Sequence, residues 1–230
     1  IINPKLHVMR GLLVVLGTFC FINGLRHLTL ADATAIVYAG PLFVTALAPL
    51  LIGEHIGWRR WCAVMGGFMG VLIIIRPGTE AMQWAAIFPL GSALAGALRD
   101  LITRSASATE HSNAVLATST AAAALAGLVT LPFGWEPIAL KDLGVMALSG
   151  VLLGSAHFLM IESFRYGEAG LVVPFKYLNL MFAVLVGFLV WGDLPDAWTW
   201  VGSAVLVTSG LYILHRERLQ RSGGRPTGAS

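Results

Sequence analysis

The sequence predicts an all-α integral membrane protein with eight membrane-spanning helices arranged as an inverted repeat. Three observations support this fold class: the composition, a series of eight apolar windows, and a self-similarity at constant spacing. Of the 230 residues, 57% are hydrophobic and only 12% are charged. A soluble domain carries about 25% charged residues, so this composition indicates that lipid is the solvent for most of the chain.

Charge and cysteine content argue against several other classes. The formal net charge of +3 is small and scattered along the chain, which argues against a nucleic-acid partner. Cys20 and Cys62 both lie inside apolar runs, where neither has a disulfide or metal partner nearby in sequence. We therefore expect two buried packing cysteines, no metal site and no cofactor.

Eight windows are long and apolar enough to cross a bilayer, which takes roughly 20 residues. They cover residues 7–25, 31–52, 58–75, 82–102, 113–133, 142–164, 170–191 and 197–214. The breaks between them are short and contain Gly, Pro and charged residues, which are typical of turns. The tryptophans fall near the ends of the windows, where an aromatic belt is expected.

The basic residues orient these spans. Arg26, Arg76 and Lys141 fall on one side of the membrane, whereas the remaining connections and both ends carry nearly all the other Lys and Arg residues. Lys176 lies inside the seventh span. Because positively charged connections stay in the cytoplasm, we expect both visible ends of the chain to be cytoplasmic.

An internal repeat relates residues 11–76 to residues 150–215 at a constant offset of 139. The register matches residues that apolar composition alone would not align. These pairs are Arg26 with Arg165, Tyr38 with Tyr177, Gly53 with Gly192, Glu54 with Asp193, and Trp61 with Trp200. The second copy starts five spans after the first. Since five is odd, the two copies enter the membrane from opposite sides, as in transporters built from inverted repeats.

The repeat also predicts the organisation of the chain. Gln83, near the start of the second copy, would correspond to position 83 − 139 = −56, so about 57 residues, enough for two spans, are expected upstream. The complete protein is then expected to have ten helices, five in each repeat. Residues 1–81 form the last three helices of the first repeat, 82–215 the second repeat, and 216–230 a disordered cytoplasmic tail.

Several short motifs add a family resemblance. They are LRHLTLADAT (25–34), GPLFVT (40–45), GE (53–54), WRRW (58–61) and IRPG (75–78) in the first half, and PFKY (174–177) and GDLP (192–195) in the second. In this order they resemble the EamA-type transporters of the drug/metabolite transporter superfamily. The resemblance implies a carrier of the bacterial inner membrane that moves amino acids, metabolites or drugs by alternating access, with a bilayer and a small molecule as partners. It implies no particular substrate, and a homodimer is left open.

Lys176 is the first candidate for a binding residue. It lies about 9 Å into the seventh span at 1.5 Å per residue. Holding an ionisable residue at that depth costs free energy, so such residues usually have a function. Asn179 lies one turn further on the same face, and Tyr177 is the repeat equivalent of Tyr38. The alternative is that the Lys176 side chain extends back to the cytoplasmic interface.

Thr34 and Tyr38 are the candidates on the second span. Together with Pro41 and Thr45 they follow helical spacing on one face, and Pro41 is expected to kink the span because it cannot donate a backbone hydrogen bond. We expect Thr34 and Tyr38 to form one polar patch with Lys176 and Asn179. The alternative is that Thr and Tyr hydroxyls bond to a neighbouring helix.

His157, inside the sixth span, is the last candidate, as a proton relay or as a hydrogen-bonded structural residue. No metalloprotease, phosphate-loop or nucleophile–base pattern is present in the sequence. We therefore predict a carrier and no enzyme; the alternative is an integral-membrane enzyme or a lipid-binding scaffold.

Overall fold

The computed structural model describes residues 4–51, 53, 56–77, 84–106, 112–129, 132, 139–166 and 178–223. Within these ranges every regular element is helical. The helices are α1 (Pro4–Gly24), α2 (Leu30–Val37), α3 (Gly40–Leu51), α4 (Trp58–Ile75), α5 (Ile87–Ala106), α6 (Ser112–Val129), α7 (Leu140–Tyr166), α8 (Leu178–Trp191) and α9 (Ala197–Gly223). A 3₁₀ turn, Trp84–Ala86, precedes α5. The all-α class is confirmed.

The helices correspond to the eight predicted windows, with α2 and α3 sharing the second. In the described part of the chain, five segments are long and apolar enough to cross a membrane. They are Lys5–Gly24, Leu30–Leu51, Trp58–Ile75, Trp84–Ile102 and Ala197–Arg216. One boundary was wrong: α9 continues to Gly223, so residues 216–223, which we had assigned to the tail, are helical. The apolar window ends before these residues because hydropathy reports the membrane boundary and not the end of the helix. The helix continues into water because its backbone hydrogen bonds lie within the helix itself.

Glycine ends two helices at matching positions of the repeat. Gly53 follows α3 with φ of 69°, and Gly192 follows α8 with φ of 75°. A left-handed residue after the last turn is a common helix terminus, and glycine adopts it without a Cβ penalty. The helices that follow begin at Trp58 and Ala197, which are also 139 residues apart.

α4 and α9 pack closely against each other through glycines. A Cβ on Gly70 would lie 2.8 Å from the Gly202 carbonyl oxygen, and a Cβ on Gly202 would lie 2.6 Å from the Gly70 carbonyl oxygen. Small residues allow such close approach between membrane helices. Gly66 lies against Ser209 and Gly70 against Val205, so the residue numbers rise on one helix as they fall on the other. The two helices are therefore antiparallel.

The core extends from this pair to α3 and α5. Its buried members are Ala39, Leu42, Val64, Val71, Ala93, Leu206 and Ile213. Leu42 fills the space above Gly67. Neighbouring Ala35, Ile36, Ile74 and Ala86 form a second cluster, which holds α2 against the end of α4.

α1 packs along α5 and α6. Its glycines mark the contacts, which pair Gly11 with Ala122, Gly17 with Ala95, and Gly24 with Pro89. By contrast, every α7 side chain from Leu140 to Ala156 is exposed in the described part of the chain.

Cysteine placement differs from the sequence expectation. Cys20 is half-buried, but Cys62 is exposed. The expectation of a buried Cys62 was wrong because an apolar run does not distinguish the helix face that meets protein from the face that meets lipid.

Candidate functional site

The second span is interrupted at its middle. α2 ends at Val37, and α3 begins at Gly40. The amide of Tyr38 bonds back to the carbonyls of Thr34 and Ala35, and the amide of Ala39 bonds to Ile36. Pro41 has no amide hydrogen to continue the ladder, which gives the predicted kink a physical cause. Interrupted helices inside a membrane are tolerated where the backbone is buried in protein or lines a cavity.

Tyr38 stands at this interruption and reaches across to the other half of the chain. Its side chain is half-buried and lies next to the exposed side chain of Asn179, within reach of a hydrogen bond. Asn179 is the second residue of α8, and α8 packs on α2. The structure thus joins two of the six predicted site residues, from helices far apart in sequence.

Thr34 and Thr45 have more local surroundings. Thr34 is buried on α2, which favours the alternative that it packs between helices. The Thr45 hydroxyl donates to the Pro41 carbonyl oxygen at 2.9 Å, inside its own helix. This local bond satisfies the Thr45 hydroxyl inside α3, just after the interruption.

The other three predicted site residues are not located by the structure. Lys176 and Tyr177 lie outside the described residues, and so does the side chain of His157, although its backbone belongs to α7. Their roles stay predictions.

The structure adds a buried polar pair that sequence reasoning missed. The Thr199 hydroxyl donates to Asp32 Oδ1 at 2.8 Å, linking α9 to α2. Both residues are buried, with 3% and 7% of their surface exposed. Thr29 caps α2 by accepting from the Asp32 amide at 3.1 Å. A Thr followed three residues later by an acid is a helix-start pattern that could have pointed to Asp32, but its partner 167 positions away has no local signal.

A second polar group lies next to this pair. Asp196 Oδ1 accepts from the Thr199 amide at 2.8 Å, which caps α9. Asp196 also forms an ion pair with Arg76, the residue that ends α4. Together these bonds fix the first turn of α9 to both α2 and α4.

Among the described residues, no three His, Cys, Asp or Glu side chains lie close enough together to hold a metal ion.

These features define a class of protein: a polytopic helical membrane protein with an interrupted helix and a polar contact between its two halves, as in membrane transporters. The model of the EamA-like transporter family matches residues 5–76 and 83–215. The chain belongs to this family of membrane transporters.

Several curated proteins are similar over most of the chain. The riboflavin transporter of Rhizobium johnstonii is 31% identical, with 93% of this chain and 71% of the relative covered. The S-adenosylmethionine uptake transporter of Rickettsia prowazekii is 25% identical, with coverage of 96% and 75%. The pseudopaline exporter CntI of Pseudomonas aeruginosa is 26% identical, with coverage of 88% and 72%.

A solved crystal structure has the same fold. It matches with a TM-score of 0.58 at 20% identity, and the match covers 95% of this chain and 79% of the other. At this identity the match supports the fold alone.

Proposed function

We propose that the protein is a secondary carrier that moves a small organic metabolite across the bacterial inner membrane by alternating access. The observation that carries this proposal is the contact between the Tyr38 and Asn179 side chains, at the interruption of the second span. In transporters with inverted repeats, substrates bind near the midplane between the repeats, beside interrupted helices.

The inverted repeat supports the proposal through the α4–α9 pair. Adding 139 to Gly66 gives Val205, and adding 139 to Gly70 gives Ser209. Gly66 lies against Ser209, and Gly70 lies against Val205. Replacing each residue by its repeat equivalent turns the first contact into the second, and the second into the first. A two-fold relation produces this kind of reciprocal contact. Because the helices are antiparallel, the corresponding axis lies across them, in the membrane plane.

The same relation supports the assignment of 1–81 and 82–215 to two repeats, with two helices expected upstream. α1 packs on α5 and α6, and α7 is the repeat equivalent of α1. Under the two-fold relation, α7 packs on the first-repeat equivalents of α5 and α6. Those two helices would precede α1 in the chain. They would cover the α7 side chains that are exposed in residues 140–156.

Orientation follows from charge. Arg59 and Arg60 begin α4, and Arg216 lies near the end of α9, so these three arginines lie at the same end of the antiparallel pair. At the opposite end, Arg76 is ion-paired with Asp196. We place the end with the three arginines in the cytoplasm, together with both visible chain ends.

The substrate is proposed only as a class. Relatives are named as transporters of riboflavin, S-adenosylmethionine and pseudopaline, and they include both an uptake system and an exporter. We therefore propose a polar organic metabolite and assign no direction. Lys176 would contact its anionic or zwitterionic part, with Tyr38, Asn179, Tyr177 and His157 as further binding residues. Thr34, which is buried on α2, would instead pack between helices.

The first experiment tests the Tyr38–Asn179 contact. The natural full-length protein is reconstituted in liposomes, and ligand-induced thermal shifts are measured with riboflavin, S-adenosylmethionine and amino acids, since binding to the folded state raises its stability. For a ligand that binds, Tyr38→Phe and Asn179→Ala should each weaken binding by about tenfold, the equivalent of about 1.4 kcal/mol. The control is Asn23→Ala, because the Asn23 amide donates to the Phe19 carbonyl oxygen within its own helix.

The outcomes are distinct. Non-additive losses in the double variant Tyr38→Phe/Asn179→Ala would support one shared site. Parental binding and counterflow by both single variants would contradict it. Chemical turnover of a bound compound, in place of counterflow, would favour an integral-membrane enzyme.

The second experiment tests Lys176. If its ammonium binds substrate, Lys176→Met should lose most of its affinity for acidic or zwitterionic ligands while its melting temperature without ligand stays unchanged. If the side chain extends to the interface, Lys176→Met should transport at near-parental rates, and Lys176→Arg should behave like the parent. Parental transport by Lys176→Met would end this part of the proposal.

A further inference from the structure

An open groove lies between α4 and α9, away from the Tyr38–Asn179 contact. Its volume is about 430 Å³, and its walls include Trp58, Arg59 and Cys62 from α4, and Thr208, Ser209 and Tyr212 from α9. It lies where the N-terminal end of α4 meets the middle of α9, at the end of the pair that carries Arg59 and Arg60. Below, this space is called the α4–α9 groove.

The walls combine a cation, hydroxyls and aromatic rings. The Arg59 guanidinium lies 5.5 Å from the Trp58 ring centroid, which holds it beside the groove. Ser209 and Tyr212 contribute hydroxyls, which can donate to an anion. Trp58 and Tyr212 are 71% and 42% exposed, and such amphipathic rings are favoured at the level of lipid headgroups.

A second guanidinium stands at the same end. Arg216 lies one turn beyond Tyr212 on the same face of α9. It is half-buried, and its Nε has no hydrogen-bond partner among the described residues. The antiparallel register that places Gly70 against Leu206 brings Arg216 level with buried Arg60.

Within α4 and α9, too few acidic residues are present to balance the positive charge of the arginines. α4 contains no Asp or Glu, and the single acid of α9, Glu217, is flanked by Arg216 and Arg218. An anion in the α4–α9 groove would therefore meet a positive field. Basic pockets between membrane helices on the cytoplasmic side are suited to anionic lipid headgroups.

The surface beside the groove favours a lipid over a soluble anion. Met65, Met69 and Leu72 continue the exposed face of α4 away from Trp58, at 61%, 55% and 46% exposure. Their helical spacing makes one apolar stripe, along which an acyl chain can lie while its headgroup occupies the groove.

We propose that the α4–α9 groove binds an anionic phospholipid of the cytoplasmic leaflet, with the phosphate held by Arg59 and Arg216 and one acyl chain along Met65, Met69 and Leu72. This site is separate from the transport site.

Cys62 gives a direct probe because it is exposed in the groove. In a full-length Cys20→Ser background, with any further thiols also replaced by Ser, N-ethylmaleimide modification of Cys62 is timed in nanodiscs. The discs contain phosphatidylcholine alone or phosphatidylcholine with phosphatidylglycerol. Phosphatidylglycerol should slow modification of the parent. Arg59→Gln and Arg216→Gln should each reduce this protection by about fivefold, as expected for one charge near an anionic surface.

Arg26→Gln is the matched control, since Arg26 is an exposed arginine of the chain away from the groove. Arg26→Gln should keep the protection seen in the parent. Each variant is compared with the parent in the same discs, so the effect of the lipid surface charge is the same for both proteins. Melting in phosphatidylcholine alone separates loss of lipid binding from loss of fold. If a variant melts early, Arg59→Lys and Arg216→Lys, which keep the charge, should retain much of the protection.

Three results would overturn the proposal. Equal protection of the parent and of the double variant Arg59→Gln/Arg216→Gln would show that the arginines do not select the lipid. Equal protection by water-soluble glycerol phosphate would show that a free anion suffices. Concentration-dependent disulfide formation between Cys62 of two copies, unaffected by phosphatidylglycerol, would assign the groove to a second copy of the chain.

Discussion

Helices α1 and α7 occupy equivalent positions in the sequence repeat, yet their surroundings differ. Gly11 of α1 lies so close to α6 that an added Cβ would be 2.5 Å from the Ala122 Cβ, whereas a Cβ added to its equivalent, Gly150, would meet no other described part of the chain within 4 Å. Leu13 is half-buried, but its equivalent Leu152 is 60% exposed. Similar sequences thus have different burial because burial depends on which neighbours are present.

The contrast shows how this family of helices is held together. In a bilayer, lipid and apolar side chains offer similar surroundings, so association depends on close packing and on hydrogen bonds between helices. α1, α4 and α9 have glycine contacts of this kind. α7 carries matching small residues, Gly150 and Gly154, but has no partner for them in the described part of the chain.

The largest expected effect is the loss of stability when a glycine between α4 and α9 is replaced, compared with the same replacement on α7. Gly202→Val should destabilise the protein by about 3 kcal/mol, the upper end of the usual cost of overpacking, because its Cβ would meet the Gly70 carbonyl oxygen at 2.6 Å and Ile74 Cγ1 at 2.5 Å. Reversible unfolding in mixed micelles measures the change. Gly144→Val makes the same substitution on α7, where an added Cβ would meet none of the other described elements within 4 Å, and it should be close to neutral. Similar losses from both would break the comparison.

A smaller effect is expected from the bond that ties α2 to α9. Thr199→Val removes the donor to Asp32 Oδ1 and should cost about 2 kcal/mol, since a buried acceptor then loses a partner. The same unfolding assay measures it. Exposed Thr18 provides the control, and Thr18→Val should change the free energy of unfolding little. A neutral Thr199→Val would mean that this bond contributes little to holding α2 on α9.

The smallest effect is the most specific to the repeat. Gly11→Ala should destabilise by about 1 kcal/mol, as overpacking against Ala122 outweighs the helix-propensity gain. Gly150→Ala should stabilise the 230-residue chain by about 0.5–1 kcal/mol, because there it gains propensity without a clash.

The comparison sharpens if the proposed upstream helices are supplied. In a longer chain with two more membrane-spanning helices before α1, Gly150→Ala should become destabilising, and transport should exceed that of residues 1–230 by an order of magnitude. An unchanged sign for Gly150→Ala, or equal transport by the two lengths, would contradict the two-fold relation proposed for the repeats.

Much of the secondary structure was predictable because it depends on neighbouring residues. The window 58–75 coincides with α4 (Trp58–Ile75), since an apolar run bounded by Gly57 and Arg76-Pro77 contains its own start and stop signals. The interruption of the second span could be predicted from Pro41. The continuation of α9 through residues 216–223 could not be predicted from hydropathy, which reports the membrane boundary and not the end of the helix.

The candidate site was less predictable. Tyr38 was proposed from its helical spacing and from the repeat, and Asn179 from its position one turn after Lys176. The structure brings these two side chains together. Asp32 lay within a recognised motif, but nothing local indicated that Thr199 would be its partner. Cys62 lay in an apolar run that could face either protein or lipid.

The sequence by itself determined the solvent, the class of secondary structure, the approximate ends of the spans and the 139-residue repeat, because each depends on composition or local order along the chain. Only the tertiary structure decided that α4 and α9 pack through glycines, that Asp32 meets Thr199, and that the α7 side chains from Leu140 to Ala156 are exposed. These features depend on distances between residues far apart in sequence. In lipid, where apolar surface alone does not select a partner, such distances are set by the fit of small residues and by matched hydrogen-bonding groups.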